Sequence, residues 1–372
     1  MEHDLIVIGG GPVGASLARA ARGLSVVLLA QERPVPVAKA PGSFDPRVYA
    51  LSPANVAFLQ LDQGALTPVH SMRIYGDGNA QIEFDAYRAG VPALAYIVQH
   101  GQVQEALWTG LDAIICGWQS IDVQDDVARV RLDDGRELAA KLVVGADGAH
   151  SRVREQAGIS ASESAYGQNA VVANFACERG HANTAYQWFH GGPVLALLPL
   201  PDDHVSMVWS LPLEQAKRIE QLEPRELCQE VELATRSALG ELRLVTPPRS
   251  YALLRLRARR LIAPRVALVG DAAHVIHPLA GQGLNLGLQD ARTLSHVLAD
   301  REPVREAGDW HLLRRYERRR AEPILAMDAM VEGLYRLFGA QGDVAARVRS
   351  SGLNLTNRLA VVKNLLIRQA MN

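Results

Sequence analysis

An apolar run followed at once by spaced glycines constrains the fold of this chain more than any other feature. The order is a strand-like run Asp4–Ile8, the turn Gly9-Gly10-Gly11-Pro12-Val13-Gly14, a helical stretch Ala15–Arg22 and a second apolar run Ser25–Ala30. A run this uniformly apolar is typical of a strand buried on both faces of a parallel sheet. Strand, Gly-x-Gly-x-x-Gly, helix and strand in this order form the dinucleotide-binding fingerprint, in which the helix N-terminus receives a pyrophosphate. We therefore predict a nucleotide-binding α/β domain, with the cofactor against Gly9, Gly11, Pro12, Val13 and Gly14.

The acid that usually binds the ribose is missing from its expected place at the end of the second strand. Counting 21 residues on from Gly9 reaches Ala30, and Gln31 and Glu32 follow it. Three alternatives are open: Glu32 reaches back, Gln31 makes a neutral hydrogen bond, or the ribose is held less firmly. Since a charge-assisted hydrogen bond is roughly twice as strong as a neutral one, the second and third alternatives would weaken the affinity for the cofactor.

Length and composition indicate a globular protein of about two domains. The chain has 372 residues, of which 48% are hydrophobic and 21% charged, and its net charge of −1 does not favour nucleic acid as a partner. Cys116, Cys177 and Cys228 lack metal-ligand spacing and indicate reduced, buried thiols, so we expect no metal site. The first strand begins close to the first residue, and no apolar stretch approaches the roughly 20 residues that span a bilayer. We expect a cytoplasmic protein, with peripheral contact to a membrane left open.

Hydrophobic patterning predicts a discontinuous nucleotide domain and a strand-rich second domain. Alternating runs within Val127–Val144 flank Asp134-Gly135, which is a strong hairpin signal. Strands predominate from about Ala165 to Leu254, interrupted by one helical stretch, Leu213–Leu239. We assign residues 1–70, 96–164 and 255–300 to the cofactor domain, 71–95 and 165–254 to the substrate domain, and 301–372 to a C-terminal helical segment.

The stretch from Gly270 to Asn285 carries the most chemical information. A buried-strand pattern, Arg265–Val269, ends at Gly270-Asp271, so a carboxylate is expected where ligands lie in open α/β sheets. The turn Gly281-Gln282-Gly283 then begins a helix, whose N-terminus can face an anion or an electron-rich ring edge. A carboxylate suits a ribityl or ribose hydroxyl, and the helix end suits a reduced flavin that carries negative charge.

Three motifs in order make the chain resemble the class A flavin-dependent aromatic hydroxylases, and within them the ubiquinone-biosynthesis hydroxylases. The motifs are Gly9–Gly14, Gly145–Arg154 and Gly270–Asn285, and the stretches that resemble the ubiquinone branch are Phe44–Ser52, Tyr96–Leu107, Phe189–Leu200 and Leu313–Phe338. The resemblance spans nearly the whole chain. It implies an α/β fold with an FAD-binding Rossmann-like domain of the glutathione-reductase type, an inserted strand-rich substrate domain and C-terminal helices.

The resemblance also implies roles for matching residues. Asp271 would hold the ribityl chain of FAD, Arg47 would lie near the flavin and the pyrophosphate, and Asp147 with Arg152 belongs to a motif associated with FAD and the nicotinamide donor. The residues expected beside the isoalloxazine are Pro278, Gly281, Gln282, Gly283, Leu284 and Asn285. The family has Arg or Gln where this chain has His100, so a cofactor contact at this position departs from the family pattern.

By resemblance, the chain is an FAD-dependent monooxygenase that hydroxylates the phenolic ring of a ubiquinone precursor. NADH or NADPH would reduce FAD, O₂ would add to form a flavin C4a-hydroperoxide, and the protein would exclude water. Candidate apolar wall residues are Phe189, Leu195, Leu197 and Leu198, although for any single one of them ordinary sheet core is the favoured interpretation. No residue is assigned as the catalytic base.

Two rival interpretations and one surface remain open from the sequence. The chain could be a reductase of the same fold, acting on a polyprenyl or aromatic substrate, or a non-catalytic subunit of a biosynthetic complex. The stretch Leu353–Ala370 mixes aliphatic residues with Arg358, Lys363 and Arg368. It is either an amphipathic helix for a membrane or a partner, or a helix that docks on the body of the protein.

Overall fold

The fold is described from a computed structural model that covers residues 2–35, 43–76, 80–189, 191–278 and 281–339. The described residues fall into two compact units. The first contains those within Met1–Pro36, Val103–Ser164 and Leu254–Met330, and the second those within Val37–Gln102, Ala165–Leu253 and Val331–Asn372. The predicted helix Leu353–Ala370 lies outside the described residues.

The described residues form twenty strands and nine α-helices, besides two short 3-10 helices. The strands are β1 Glu2–Ile8, β2 Val26–Ala30, β3 Val48–Leu51, β4 Thr67–Val69, β5 Ser71–Tyr75, β6 Gln81–Asp85, β7 Ala95–Gln99, β8 Ala113–Ile115, β9 Trp118–Val123, β10 Ala128–Leu132, β11 Glu137–Gly145, β12 Ala161–Cys177, β13 Thr184–Phe189, β14 Val194–Leu200, β15 His204–Pro212, β16 Leu242–Leu244, β17 Arg249–Ala258, β18 Ile262–Ala263, β19 Val266–Leu268 and β20 His274–Val275. The helices are α1 Pro12–Ala20, α2 Pro53–Leu59, α3 Ala86–Ala89, α4 His100–Trp108, α5 Arg152–Gln156, α6 Leu213–Glu220, α7 Pro224–Ala234, α8 Gln282–Ala299 and α9 Trp310–Gly339.

The first unit is built on a parallel sheet with the order β19-β11-β1-β2-β8. Strand β1 lies at its centre, and residues 5–7 of this strand are fully buried, as its apolar sequence predicts. The predicted hairpin is confirmed, since β10 and β11 pair antiparallel around Gly135, whose φ is +86°. The fold is therefore the predicted α/β class with a Rossmann-like sheet.

The single helical stretch predicted for Leu213–Leu239 is wrong in one respect, because it is two helices. Helix α6 ends at Glu220, and α7 begins at Pro224 with Glu223 as its N-cap residue. Proline has no N–H to donate within a continuing helix, but it fits the first turn of a new one. The break between α6 and α7 therefore falls where the proline ring of Pro224 is tolerated.

The second unit contains an antiparallel sheet whose strands follow the order β12-β15-β14-β13, with β5 parallel to β13 and β6 beyond it. One face of this sheet packs under helices α6 and α7 in a core that includes Phe175, Leu195, Leu197, Met207 and Trp188. Side chains alternate between the faces of a strand, so the intervening residues line the opposite face. Part of that face meets a small three-stranded sheet, β3-β7-β4.

The compact units and the predicted domains divide the chain differently. The described residues of 43–70 and 96–102 belong to the second compact unit. The sequence-based division assigns the same residues to the cofactor domain. The division into cofactor and substrate domains stays a prediction. No helix among the described residues is long and apolar enough to cross a membrane.

Candidate functional site

The predicted cofactor segments of the first unit meet at one edge of its parallel sheet. Ile8 of β1 is level with Leu29 of β2 and with Gly145 of β11, which in turn is level with Leu268 of β19. Parallel strands present their carboxyl ends at the same edge, where open α/β sheets bind ligands. The segments that follow these strands, including the first glycine turn, Asp147 and Asp271, therefore lie together.

The first glycine turn leaves room for a ligand at only one of its three fingerprint positions. Gly9 has a φ of +121°, and a Cβ there would lie 2.2 Å from the Ala146 carbonyl oxygen. A Cβ on Gly14 would lie 2.0 Å from the Gly9 carbonyl oxygen, so both glycines are required by close packing. A Cβ on Gly11 would meet no heavy atom within 4 Å. The open side of the turn is therefore at Gly11.

Helix α1 begins directly at this open position. Gly11 is its N-cap residue, no side chain caps the helix, and Pro12 occupies its first turn without any acidic neighbour. The next residue, Val13, contacts the third motif: a Cβ on Gly270 would lie 3.2 Å from Val13 Cγ1, and one on Gly287 would lie 2.9 Å from Val13 Cγ2. Helix α8 and the Gly270 turn thus pack closely on α1 at Val13.

Trp108, at the end of α4, supports the same turn, and sequence reasoning did not find it. Its indole Nε1–H donates a hydrogen bond of 2.9 Å to the Gly10 carbonyl. A Cβ on Gly10 would lie 2.5 Å from Trp108 Cζ2 and 2.9 Å from Ala30 Cβ. Ala30 therefore packs under the turn, while Gln31 and Glu32 are exposed beyond it.

In the second motif the polar side chains form hydrogen bonds with other groups of the protein. Asp147 Oδ1 accepts a 2.5 Å hydrogen bond from the Ser151 hydroxyl, and Asp147 Oδ2 accepts one of 3.1 Å from the Val153 N–H. Arg152 donates to the Trp118 carbonyl at 2.9 Å, and its guanidinium carbon lies 4.6 Å from the centre of the Trp118 ring. Asp147 therefore holds the turn before α5, and Arg152 joins α5 to strand β9.

The turn Gly270–Ala272 presents Asp271 at the carboxyl edge of the sheet, where its side chain is exposed. Behind it, Asp290 is fully buried and accepts hydrogen bonds at Oδ2 from the Gly270 N–H at 2.9 Å and His274 Nε2 at 2.6 Å. Its Oδ1 accepts a bond of 2.6 Å from Arg320 Nε. Burial disfavours this carboxylate, but His274 and Arg320 outweigh burial and lower the pKa of Asp290 below its usual value.

Sequence reasoning also missed Asp290 and Arg320. A signal for the first was available, because Asp290 interrupts an apolar stripe of α8 that contains Leu286, Leu294 and Val297. An acid on the buried stripe of a helix requires partners. No such signal identifies Arg320, which stands in a run of exposed arginines.

Helix α8 begins at Gly281, whose φ is +61° and which has no side-chain cap. Gln282, Gly283 and Leu284 are half-buried in the first turn, and a Cβ on Gly283 would meet no heavy atom within 4 Å. The Asn285 side chain is buried and donates a 3.2 Å hydrogen bond to the Gly281 carbonyl. Pro278 is half-buried, and Leu279 and Ala280 lie outside the described residues.

In the second unit, the structure brings Arg47 and His100 together around Asp45. Asp45 accepts hydrogen bonds from the Arg47 N–H at 2.9 Å and the Gly101 N–H at 3.0 Å. The Tyr49 hydroxyl lies 2.7 Å from His100 Nδ1, and Arg47 Cζ lies 5.3 Å from the centre of the Tyr49 ring. Burial and the nearby charge of Arg47 lower the pKa of His100, while Asp45 opposes them. His100 is therefore neutral at pH 7.

The four candidate wall residues divide between the two faces of the second unit's sheet. Leu195 and Leu197 belong to the core under α6 and α7, so for them ordinary sheet core is the correct interpretation. Leu198 and Phe189 lie on the opposite face, where the Phe189 ring stacks on Phe338 with centroids 3.7 Å apart. Cross-strand pairs on this face include Val172 with Val208 and Val208 with Ala196.

Comparisons with known proteins agree with this arrangement. The family model described as "FAD binding domain" matches residues 120–329. The chain is 33% identical to the 3-demethoxyubiquinol 3-hydroxylase of Escherichia coli, over 99% of this chain and 98% of that protein. It is 32% identical to the ubiquinone hydroxylase UbiL of Rhodospirillum rubrum, over 99% of this chain and 89% of that one. The chain belongs to the FAD binding domain family, in its branch of ubiquinone-biosynthesis hydroxylases.

The fold of this FAD-dependent monooxygenase is shared with a solved structure of lower sequence identity. The crystal structure of p-nitrophenol 4-monooxygenase PnpA from Pseudomonas putida superposes with a TM-score of 0.77 at 18% identity, covering 99% of this chain and 98% of that one. The family match and the two relatives confirm the predicted family, enzyme class and cofactor, and the superposition agrees with the predicted fold.

The described residues fit FAD. The turn at Gly11 is open, the N-terminus of α1 has neither a cap nor an acid in its first turn, and Asp271 is exposed at the same sheet edge. Free N–H groups and a positive helix dipole suit a pyrophosphate, and a carboxylate suits a sugar hydroxyl. FAD, reduced by NADH or NADPH, supplies the redox and oxygen-activating chemistry that this chain's side chains lack.

Proposed function

We propose that this protein hydroxylates the aromatic ring of a polyprenylated phenol during ubiquinone biosynthesis, with O₂ as the second substrate. The observation that carries the proposal is the meeting of three motifs at one sheet edge, combined with full-length similarity to proteins named as ubiquinone hydroxylases. The E. coli relative acts on 3-demethoxyubiquinol by its name, which makes an electron-rich ring with a prenyl tail the substrate class to test.

The proposed cofactor contacts follow from the geometry of the motifs. The N-terminus of α1 binds the pyrophosphate through Gly11, and Asp271 binds the ribityl chain. The turn before α8 borders the isoalloxazine. Gln31 or Glu32 binds the ribose, because both are exposed directly beyond the second strand of the sheet. Arg47 and His100 stay predictions as cofactor contacts; within the second unit, Asp45 joins the loop and the helix that carry them.

The substrate ring is proposed to lie on the sheet face opposite α6 and α7. Ala196 and Val208 are half-buried cross-strand neighbours on that face, and Val208 also pairs with the buried Val172 of strand β12. Small and β-branched side chains leave a shallow apolar surface for a planar ring, and such a surface keeps water away from the reacting carbon. We place no side chain in the role of catalytic base.

The polyprenyl tail and a membrane or complex contact are part of the same proposal. A long isoprenoid chain partitions into lipid, so an enzyme acting on its head group gains from peripheral binding. The sequence of Leu353–Ala370, which lies outside the described residues, has the mixed aliphatic and basic composition that such binding requires.

The decisive experiment supplies the full-length protein with FAD, NADH or NADPH, ¹⁸O₂ and a short-tailed 3-demethoxyubiquinol analogue. We expect substrate-dependent oxidation of the nicotinamide and a product that is heavier by one ¹⁸O atom. Oxidation of the nicotinamide with a reduced product and no label would instead identify a reductase. Protein that stays colourless after incubation with excess FAD would favour a non-catalytic subunit.

A variant on the sheet face tests where the ring binds. Ala196→Leu should raise the KM for the phenol by at least about fivefold, because it fills the surface next to Val208, and should leave the Kd for FAD unchanged. Ala252→Leu, the same change at an exposed strand position, is the matched control. Equal KM values for the two variants would place the ring elsewhere.

A further inference from the structure

The three-residue turn that carries Asp271 is held at both of its ends by buried charged side chains. At one end the Gly270 N–H donates to Asp290 Oδ2 at 2.9 Å. At the other end the Ala272 carbonyl accepts a 2.9 Å hydrogen bond from Arg154, which also donates to the Ala149 carbonyl at 3.0 Å. Asp271 lies between these two attachments, and its side chain is exposed.

Both carboxylate oxygens of Asp290 accept hydrogen bonds. Its two oxygens accept from the Gly270 N–H, from His274 Nε2 and from Arg320 Nε, at distances of 2.6 to 2.9 Å. Arg320 is itself anchored, since it donates to the Leu286 carbonyl at 3.1 Å and to Gln289 Oε1 at 3.2 Å. Asp290, His274 and Arg320 are all buried, with exposures of 0%, 3% and 4%.

Fold stability alone does not account for this arrangement. A buried ion pair contributes little net stability compared with well-packed apolar residues of similar size. Here the Asp290 carboxylate also accepts a hydrogen bond from the backbone N–H of Gly270, the residue directly before Asp271. Gly270 has a φ of +61° and packs on Val13. A left-handed backbone with a fixed amide direction leaves few orientations for the following side chain.

We propose that Asp290 is a positioning residue for the cofactor site, which orients Asp271 by holding the Gly270 amide while His274 and Arg320 hold Asp290. This proposal rests on the proposed role of Asp271 in binding FAD. The contact with FAD is made by Asp271, and Asp290 acts only through the turn. A preorganised carboxylate binds without first ordering its backbone, so loosening the turn should weaken FAD binding.

The test compares two buried aspartates in the same unit. Asp290→Asn leaves one amide oxygen for three donors and turns an NH₂ group toward one of them. Asp328→Asn is the matched control, because Asp328 is 5% exposed and accepts two hydrogen bonds from Arg255, at 2.8 and 2.7 Å, but does not touch the turn. Full-length proteins would be titrated with FAD by flavin fluorescence, below the Tm of every variant.

We expect both variants to lower Tm and only Asp290→Asn to raise the Kd for FAD, by about tenfold, since loss of a supporting partner around other preorganised sites costs about 10- to 100-fold in affinity. His274→Gln, which keeps a donor near the Nε2 position, should recover most of the affinity lost in His274→Ala. Equal Kd values for Asp290→Asn and Asp328→Asn would overturn the proposal.

The Asp271→Ala variant separates this proposal from the one on which it rests. If Asp271→Ala weakens FAD binding and Asp290→Asn does not, Asp271 binds FAD without help from Asp290. If Asp271→Ala retains the wild-type Kd, the proposed cofactor contact itself is wrong. If Asp271→Ala and Asp290→Asn both weaken FAD binding while Asp328→Asn keeps the wild-type Kd, the result supports both the cofactor contact of Asp271 and the positioning role of Asp290.

Discussion

Trp108 and Gly10 are joined by a hydrogen bond of 2.9 Å from the indole Nε1–H to the glycine carbonyl. They are 98 residues apart in the sequence, so no local pattern could reveal the contact. The indole also occupies the space that a side chain at position 10 would need. The turn at the start of α1 is thus shaped by the last residue of α4.

Trp108→Phe should loosen this turn while keeping an aromatic ring beneath it. The Gly10 carbonyl loses its partner, and we expect a loss of about 1 kcal/mol in the free energy of unfolding and a rise of about threefold in the Kd for FAD. Chemical denaturation and flavin fluorescence measure the two quantities. Trp310→Phe, at a position 39% exposed on α9, is the control and should change neither.

The two aspartates at the carboxyl edge should respond differently to removal. Asp271→Ala should raise the Kd for FAD about tenfold and should change the stability of the FAD-free protein less than Asp147→Ala does, because this side chain is exposed. Asp147→Ala should lower that stability by about 1 kcal/mol, as loss of a helix cap does, with a smaller effect on FAD. Equal losses of FAD affinity would contradict these roles.

His100 should make the stability of the protein depend on pH below about pH 7. Burial and Arg47 lower its pKa, so the unfolded chain binds more protons than the folded one below the ordinary histidine pKa of about 6.5. Stability should therefore fall as the pH drops through this window. His100→Gln should remove part of that fall in thermal unfolding measurements. His311→Gln, at an exposed position, should leave the pH profile as in the wild type.

Ser206 should tolerate loss of its hydroxyl. Its Oγ is fully buried and has no hydrogen-bond partner among the described residues, as is also true of Oδ1 of its cross-strand neighbour Asn174. Removing an unpaired buried polar group offsets the loss of packing, so Ser206→Ala should change the free energy of unfolding by less than about 0.5 kcal/mol. Ser295→Ala, which removes a 2.9 Å bond to the Arg292 carbonyl, should cost about 1 kcal/mol by the same measurement.

The order of elements around the cofactor motifs could be predicted because each depends on local chemistry. An apolar run predicts a buried strand, Gly9 and Gly14 are needed where backbones approach closely, and Asp134-Gly135 favours a tight turn. These patterns predicted a nucleotide-binding α/β fold, and the resemblance of the three motifs to the flavin-dependent hydroxylases added the family and the cofactor. The break before Pro224 was also readable, and the prediction of a single helix overlooked it.

The sequence by itself determined that a parallel sheet with a glycine turn would bind a dinucleotide-type cofactor, since strand and helix periodicity and glycine spacing are properties of neighbouring residues. Only the tertiary structure decided which side chains support the site. Trp108, Asp290 and Arg320 reach it from other elements, and whether Leu195 or Leu198 faces a helix or the opposite side depends on strand register. Such contacts depend on how distant segments pack, and packing is not encoded in any single stretch of the chain.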